Sequence, residues 1–390
     1  YDRLVGSEMC IRDRIYDDND ISKIDNQKSS EWLKKLIENI KNDKNIIIKT
    51  RTSLAAYHNY NFLLARQNLT DHLSVNDRNN KIRQRLYKIR AKKVIISTGA
   101  IERPQVFHNN DRPGIMLASA VKKYIDYYGV RCGLENVIFT NNDSAYETAL
   151  SLHKSGTKLN AIIDIRDNSS SEIVNKVKSL GIQIYWNHTV VNTKGYKRIN
   201  KITIMKLNDK GNDVVGKKIE LNCDCLAISG GWTPMVHLFT QSGGKLKFDN
   251  KDNIFVPDKT NLNQLSIGSA KGDFELDDVL KNSIKDTKKF LQIENSNFDK
   301  IDVKCSKEKE KKNIWLLPSD KPLSKTKPFL DYQNDSTAKD IKLALREGFK
   351  SIEHVKRYTT TGMGTDQGKL ANMHALGIVA DTTNTNMGDL

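Results

Sequence analysis

The spacing of apolar residues along the chain alternates between helical and strand rhythms. Ser30 is a suitable N-cap before "EWLKKLIENIK", where Trp32, Leu36 and Ile40 recur at helical spacing. "NIIIKT" (Asn45–Thr50) then predicts a short buried strand, and Arg51–Gln67 a turn followed by a strand. A charged hairpin is expected at Asn76–Lys81. Beyond it the apolar run Val94–Ile96 ends in Ser97-Thr98-Gly99-Ala100, a strand opening into a tight glycine loop.

A self-contained β-α-β pattern comes next. "NVIFT" (Asn136–Thr140) is a buried strand, and "DSAYETALSLHKSG" a helix capped by Asp143 and ended by Gly156. "LNAIIDIR" is the second strand, "SSEIVNKVKSLG" a helix stopped by Gly181, and "IQIYW" the third strand. Strands alternating with helices imply a parallel sheet. "KRINKITIMKL" and "KKIELNCDCLAIS" are further strands, the second leaving through Gly230-Gly231-Trp232. "NQLSIGSAKGDFELDDVLKNSIKDTKKFL" predicts strand, glycine loop and a long amphipathic helix.

The pattern fades from Gln292 to Lys327, where the charge run Lys304–Lys312 and Pro322 read as linker. A small helical unit ends the chain. Thr337 and Asp340 form a capping box, Ser351 starts a second helix, and Asp366 is placed to cap a third.

Composition narrows the class. The 390 residues, 38% hydrophobic and 28% charged, describe a folded chain long enough for two or three domains. No apolar run approaches the roughly 18 residues of a membrane helix. The net charge of +16 comes from lysines spread among Asp, Asn and Ile, not from a clustered nucleic-acid face. Five scattered cysteines fit a reducing compartment, so a cytoplasmic location is expected. Tyr1–Arg14 shares no period with the residues after it and is read as a non-native leader; the whole is expected to be an internal piece of a longer protein.

Candidate chemistry is sparse. The turn of the β-α-β unit reads Thr140-Asn141-Asn142-Asp143-Ser144-Ala145, without a glycine and with an acid where a phosphate would sit. This half is expected to keep the fold without a ligand. Cys223 and Cys225 alternate on one strand and suit a core better than a zinc site. No acid–base pair emerges, so no catalytic residue is assigned. The glycine exits at Thr98-Gly99 and Gly268–Gly272 flank the inserted unit, which is the layout of flavoproteins with two dinucleotide domains.

The stretches "VIISTGAIERPQVFHNNDRPGIMLASAVKKYI", "FTNNDSAYETAL", "AISGGWTPMVHLFTQSGGKL" and "YQNDSTAKDIKLALREGFKSIEHVKRYTTTGMGTDQGK" closely resemble the alpha subunits of heterotetrameric sarcosine oxidase, from about Trp32 to the end. Alpha subunits of amino-acid dehydrogenase complexes share parts of these motifs. A stand-alone NAD(P)H-dependent flavin oxidoreductase is the other alternative.

The resemblance implies a pyridine nucleotide-disulfide reductase-like α/β fold with two dinucleotide-binding domains, here expected to be incomplete: the amino-terminal glycine fingerprint and the folate domain are missing, so this piece alone is expected to hold NAD poorly and not to bind folate. Residues 15–115 and 225–291 would form the FAD/NAD(P)-binding-like domain, 116–224 the inserted Rossmann-like domain, 292–327 a linker, and 328–390 a small helical domain like those of bacterioferritin-associated ferredoxins. It further implies NAD bound by this subunit, FMN enclosed with a beta subunit, and gamma and delta partners. The complex would oxidise sarcosine, an oxidoreductase reaction on a CH–NH donor. Tetrahydrofolate and O2 would be co-substrates; glycine, methylenetetrahydrofolate and hydrogen peroxide would form.

By similarity, NAD contacts are expected from Leu54, Thr98, Gly99, Gly268, Ser269, Gly272, Phe274 and Leu276. The [2Fe–2S] cysteine positions of the helical domain fall on Asp331, Gln333, Asp366 and Ala371, so no cluster is expected. The basic, threonine-rich turn with Lys356, Arg357, Thr359, Thr360, Thr361 and Lys369 is expected to face the FMN phosphate or the beta subunit.

Overall fold

The computed structural model describes residues 22–293, 301–308 and 311–390, and the expected leader at 1–14 lies outside them. The chain divides into two compact units, each built from two separate stretches: residues up to Ile101 with Thr233–Cys305, and Glu102–Trp232 with Ser306–Leu390.

In the first unit, three antiparallel strands (Thr52–His58, Phe62–Asn68, Gln84–Arg90) form one sheet. Val94–Ile96 pairs in parallel with Gln264–Ser266, and Lys245–Asp249 forms a hairpin with Ile254–Lys259. Tyr57, Leu63, Ile96 and Phe239 make one core; Ile24, Leu33, Leu276, Leu280 and Val303 make another, between the helices Ser29–Asn42 and Leu276–Leu291. The Ser29–Asn42 helix starts one residue before the expected cap, and Ser29 Oγ donates to Ser22 O at 2.6 Å.

Two local expectations need correcting. Ile46–Ile48 forms no strand, and Ile47 is 82% exposed; no strand among the described residues pairs with it. Three β-branched residues supply strand propensity, but without a ladder partner and a covering layer that propensity is not realised. The expected hairpin at 76–81 is instead a short helix, Val75–Arg78, capped by Ser74.

The second unit is organised by a five-stranded parallel sheet in the order Ile184–Trp186, Lys158–Asp164, Glu135–Thr140, Cys225–Ser229, Ile115–Leu117. Val137, Ile138 and Phe139 are fully buried, as a strand covered on both faces requires. The Ala118–Asp126 and Ser144–Lys154 helices pack on it and the Glu172–Ser179 helix packs against the latter, beside a three-stranded antiparallel sheet of His188–Gly195, Ile199–Leu207 and Val214–Asn222. The single strand expected over "KKIELNCDCLAIS" breaks at Cys223–Asp224, with its two halves in different sheets. Both thiols are buried; burial pushes the Cys225 thiol up to about 12, so neither is a nucleophile.

This unit begins at Glu102, earlier than the expected 116, because Glu102 Oε2 accepts from the Ser119 backbone N–H (2.9 Å) and hydroxyl (2.6 Å). It runs to Trp232 because the Arg103 N–H donates to Gly231 O at 2.8 Å. The last three helices, Ala338–Arg346, Ile352–Thr359 and Asn372–Thr383, belong to it as well. The capping box of Thr337 and Asp340 is formed. The third helix starts later than expected, at Asn372, and Asp366 accepts from the N–H of Gly368 in the preceding turn.

Part of the expected linker is core. Trp315 and Leu317 are buried, and a Cβ on Gly377 would lie 2.2 Å from Trp315 Cγ, so the helix–indole contact requires glycine there. His374 Nε2 faces Pro104 O at 2.9 Å and therefore donates. Burial, then the Arg103 charge, holds the imidazole down at about 4, so it is neutral.

Candidate functional site: glycine loops, basic turn and sheet crevice

Three places carry candidate chemistry. In the first unit, Ile96 pairs with Ser266, and the Ile267 N–H donates to Ile96 O at 3.0 Å. The two parallel strands therefore release Ser97–Gly99 and Ile267–Gly272 from the same carboxyl end, where open α/β sheets place ligands. Gly99 has φ 76°, and its carbonyl accepts from Met235 N–H at 2.9 Å; Thr98 Oγ1 donates to Met235 O at 2.8 Å. Gly268–Ala270 is a 3-10 turn in which Ser269 is buried. Gly272, at φ 104°, passes so close to Val256 that a Cβ would come within 2.9 Å of its Cγ1.

Within this loop the Leu276 side chain is committed to the helix core. Leu54 packs beside the core of Tyr57, Leu63, Ile96 and Phe239. Phe274 is half-buried. Two residues absent from the sequence expectation stand out. Asp273 Oδ1 accepts from Asn282 at 3.0 Å, while Asp273 Oδ2 and Ser266 Oγ are buried without a hydrogen-bond partner. Burial raises the Asp273 carboxyl above its ordinary value. The signal in the sequence is an acid directly after the second glycine of a strand-exit loop.

In the second unit, the basic turn follows the Ile352–Thr359 helix, whose end is marked by Thr360 at φ 56°. Arg357 is exposed and Lys356 half-buried. The threonines are largely turned to local work: Thr359 Oγ1 donates to Val355 O at 2.8 Å, and Thr360 Oγ1 to Thr359 O at 2.7 Å. Thr361 is buried against Thr359 at 2.9 Å between hydroxyl oxygens. Lys369 is half-buried in the same turn.

Asp331, beside that turn, is 4% exposed and accepts from the N–H of Gly362 (2.7 Å), Gln333 (2.8 Å) and Asn334 (3.2 Å). Burial would raise its carboxyl, but these N–H groups outweigh it and hold it below the usual range. Gln333 Oε1 accepts from Thr365 N–H at 2.6 Å. Ala371 is buried. These four side chains offer no thiolate, and Asp331 and Gln333 bind the turn's own amides, so they do not fit an iron–sulfur cluster.

The third place is the carboxyl end of the parallel sheet in the second unit. Its centre is Arg166, 1% exposed, which reaches Asp164 through Nη2 (2.7 Å) and Asp143 through Nη1 (2.7 Å). Burial alone would lower the Arg166 value; the Asp164 and Asp143 carboxylates outweigh it and keep the guanidinium protonated. Tyr146 donates to Asp164 at 2.8 Å. The start of the 144–154 helix is occupied by protein groups: Trp232 Nε1 donates to Ser144 Oγ at 2.9 Å, and Asn142 Nδ2 to Ser229 Oγ at 2.9 Å. Arg166 and Glu308, both central here, carried no motif in the sequence.

No helix among the described residues is long and apolar enough to cross a membrane, and among them no group of three His, Cys, Asp or Glu is placed to hold a metal ion.

Residues 325–390 match the family model described as the sarcosine oxidase A3 domain. The chain is 33% identical over 371 residues to the sarcosine oxidase subunit alpha of Corynebacterium sp. (strain P-1), covering 92% of this chain and 37% of that protein. It is 30% identical over 366 residues to the subunit of the same name from Rhizobium meliloti (strain 1021), covering 93% and 35%. It thus spans little more than a third of the length of these relatives. Among solved structures, the L-proline dehydrogenase from P. horikoshii superposes with a TM-score of 0.60 at 19% identity, over 94% of this chain and 66% of that one. The fold is the α/β type of that dehydrogenase, and the chain is a homologue of the sarcosine oxidase alpha subunits over nearly its whole length, with residues 325–390 matching the A3 domain.

Proposed function

We propose that this chain is the nucleotide-binding part of an alpha subunit in a sarcosine-oxidase-type complex, holding NAD and helping a beta subunit enclose FMN. The observation that carries the reading is the pair of orphaned polar atoms, Ser266 Oγ and Asp273 Oδ2, in the strand-exit loop of the first unit. A buried carboxylate oxygen without a donor fits the hydroxyls of a ribose, whereas it would repel a phosphate. The residues present therefore fit the nucleotide. Asp273 and Ser266 would accept from or donate to sugar hydroxyls, and the backbone at Gly268 and Gly99 would allow close approach.

When bound, such groups supply redox chemistry that protein side chains lack. The chain's own contribution is binding and orientation, and none of its residues is assigned a proton-transfer role. The assembled complex, with beta, gamma and delta subunits in a cytoplasmic setting, would oxidise sarcosine in the presence of tetrahydrofolate and O2. The products would be glycine, methylenetetrahydrofolate and hydrogen peroxide. The relatives named above are sarcosine oxidase subunits, which supports this reading.

Two measurements test it on the purified complex. Asp273→Asn is expected to weaken NAD binding by roughly 10- to 100-fold, the loss of one or two hydrogen bonds to a charged acceptor. Titration of nucleotide-depleted protein reads this, with flavin content as the control. An affinity unchanged within threefold would remove Asp273 from the site. Separately, the double variant Lys356→Ala with Arg357→Ala is expected to lower FMN occupancy at least threefold as the phosphate loses its charged partners. Full flavin content in that variant would reject the assignment of the basic turn.

A further inference from the structure

The carboxyl end of the parallel sheet in the second unit already holds a carboxyl group, and it belongs to the chain. A Glu308 carboxylate oxygen accepts from the Asp143 backbone N–H at 2.8 Å, immediately before the Ser144–Lys154 helix, and lies 3.4 Å from Arg166 Nη1. An external phosphate would seek those same donors, because a helix start combines free N–H groups with the positive end of the helix dipole. Two residues earlier, Ser306 Oγ accepts from the Ile173 N–H at 3.4 Å, in the first turn of the neighbouring Glu172–Ser179 helix. A further tether lies on the far side, where Asn141 Nδ2 donates to Lys312 O at 3.0 Å and to the Asn313 side chain at 3.2 Å.

We propose that Ser306–Glu308 is an intrachain ligand of this crevice, a proton-controlled latch in which Glu308 occupies the anion position and keeps it closed to nucleotide phosphates. The charge balance says why one proton decides the matter. Among the described residues, Asp143, Asp164 and Glu308 bring three carboxylates to the Arg166 guanidinium, Lys311 also acts on Glu308, and Tyr146 is hydrogen-bonded to Asp164. Lys312 is engaged elsewhere, 3.8 Å from Asp167 and 3.3 Å from Asn187. Asp143 Oδ2 is buried without a hydrogen-bond partner, so ionising Glu308 beside it sets one carboxylate against another.

Burial first, then the Asp143 charge, pushes the Glu308 carboxyl up to about 7. A raised acid binds its proton more tightly docked than free. Docking is therefore strongest below the ordinary glutamate range, weakens as pH rises, and has lost the proton's contribution above about pH 7.

The test is amide hydrogen exchange at Asp143 and Ile173, corrected for intrinsic rates, between pH 5 and 8.5. Wild-type protection at these two amides should fall by up to about tenfold per pH unit and level off above pH 7. Glu308→Gln keeps an acceptor without a charge and should stay protected throughout, while Glu308→Ala should be unprotected throughout. Amides of Val137–Phe139 report whether each variant keeps its sheet. Wild-type protection that does not change with pH overturns the latch, and so does a folded Glu308→Ala whose Asp143 amide is as protected as wild type. Should Glu308→Ala not fold, the wild-type profile and the Glu308→Gln profile decide.

Discussion

Arg166→Ala is expected to destabilise the second unit by about 3–5 kcal/mol, the cost of removing one partner from a buried charge cluster. The side chain is 1% exposed, and three of its nitrogens serve carboxylates: Nε and Nη2 hold Asp164 at 3.0 and 2.7 Å, and Nη1 holds Asp143 at 2.7 Å. Truncation leaves those carboxylates in a poorly solvated place with no cation, and also removes a guanidinium stacked 5.9 Å from the Tyr146 ring. Urea denaturation followed by tryptophan fluorescence reads the loss. A deficit below about 1 kcal/mol would show that the cluster is solvated and the ion pairs weak. The deficit has a sign in pH. Burial already raises the Asp164 carboxyl above its ordinary value, and the variant loses the guanidinium that offsets this, so stability is regained as Asp164 takes up a proton on lowering the pH. The double variant Asp164→Asn with Arg166→Ala, carrying one stranded charge fewer, should recover part of the loss.

Asp331→Ala is expected to cost about 2–4 kcal/mol, because one carboxylate organises the turn that comes after the Ile352–Thr359 helix. Besides its three backbone donors, Asp331 Oδ2 accepts from Asn334 Nδ2 at 3.1 Å. Through these donors the one carboxylate ties the Gly362 turn to the Gln333–Asn334 segment. Asp331→Asn retains an acceptor and should lose about half as much. Since the folded carboxyl is held below the ordinary value of about 3.9, its contribution is fully present above that pH and is lost as pH falls further. Acid titration of wild type and Asp331→Ala should therefore converge at low pH. Curves that stay parallel down to pH 2 would mean that the charge of Asp331 is not what matters.

What could be read from the sequence depended on the range of the interaction. The β-α-β run from Glu135 to Trp186 was legible because each piece is local: a continuous apolar strand, a helix of the right period, a stopping glycine. The capping box at Thr337 was legible for the same reason. Ile46–Ile48 misled because strand propensity says nothing about whether a partner strand is at hand. Arg166, Glu308 and Asp273 were not legible as site residues, since their partners are set by the fold; Glu308 meets the Asp143 N–H across 165 positions. The threonines near residue 360 looked like phosphate donors, yet a hydroxyl one turn from a free carbonyl also satisfies its own helix, as Thr359 does with Val355.

The interleaving of the two units has a consequence for how the protein is made. Val94–Ile96 has its parallel partner at Gln264–Ser266, so the first unit cannot close until the second has been largely synthesised. At about 5–20 residues per second, roughly ten to thirty seconds pass between the two strands leaving the ribosome. During that interval the antiparallel sheet of residues 52–90 waits with an incomplete core, while the β-α-β portion emerging behind it can already collapse locally. In a protein laid out this way, slowing translation lengthens the exposure of that waiting sheet.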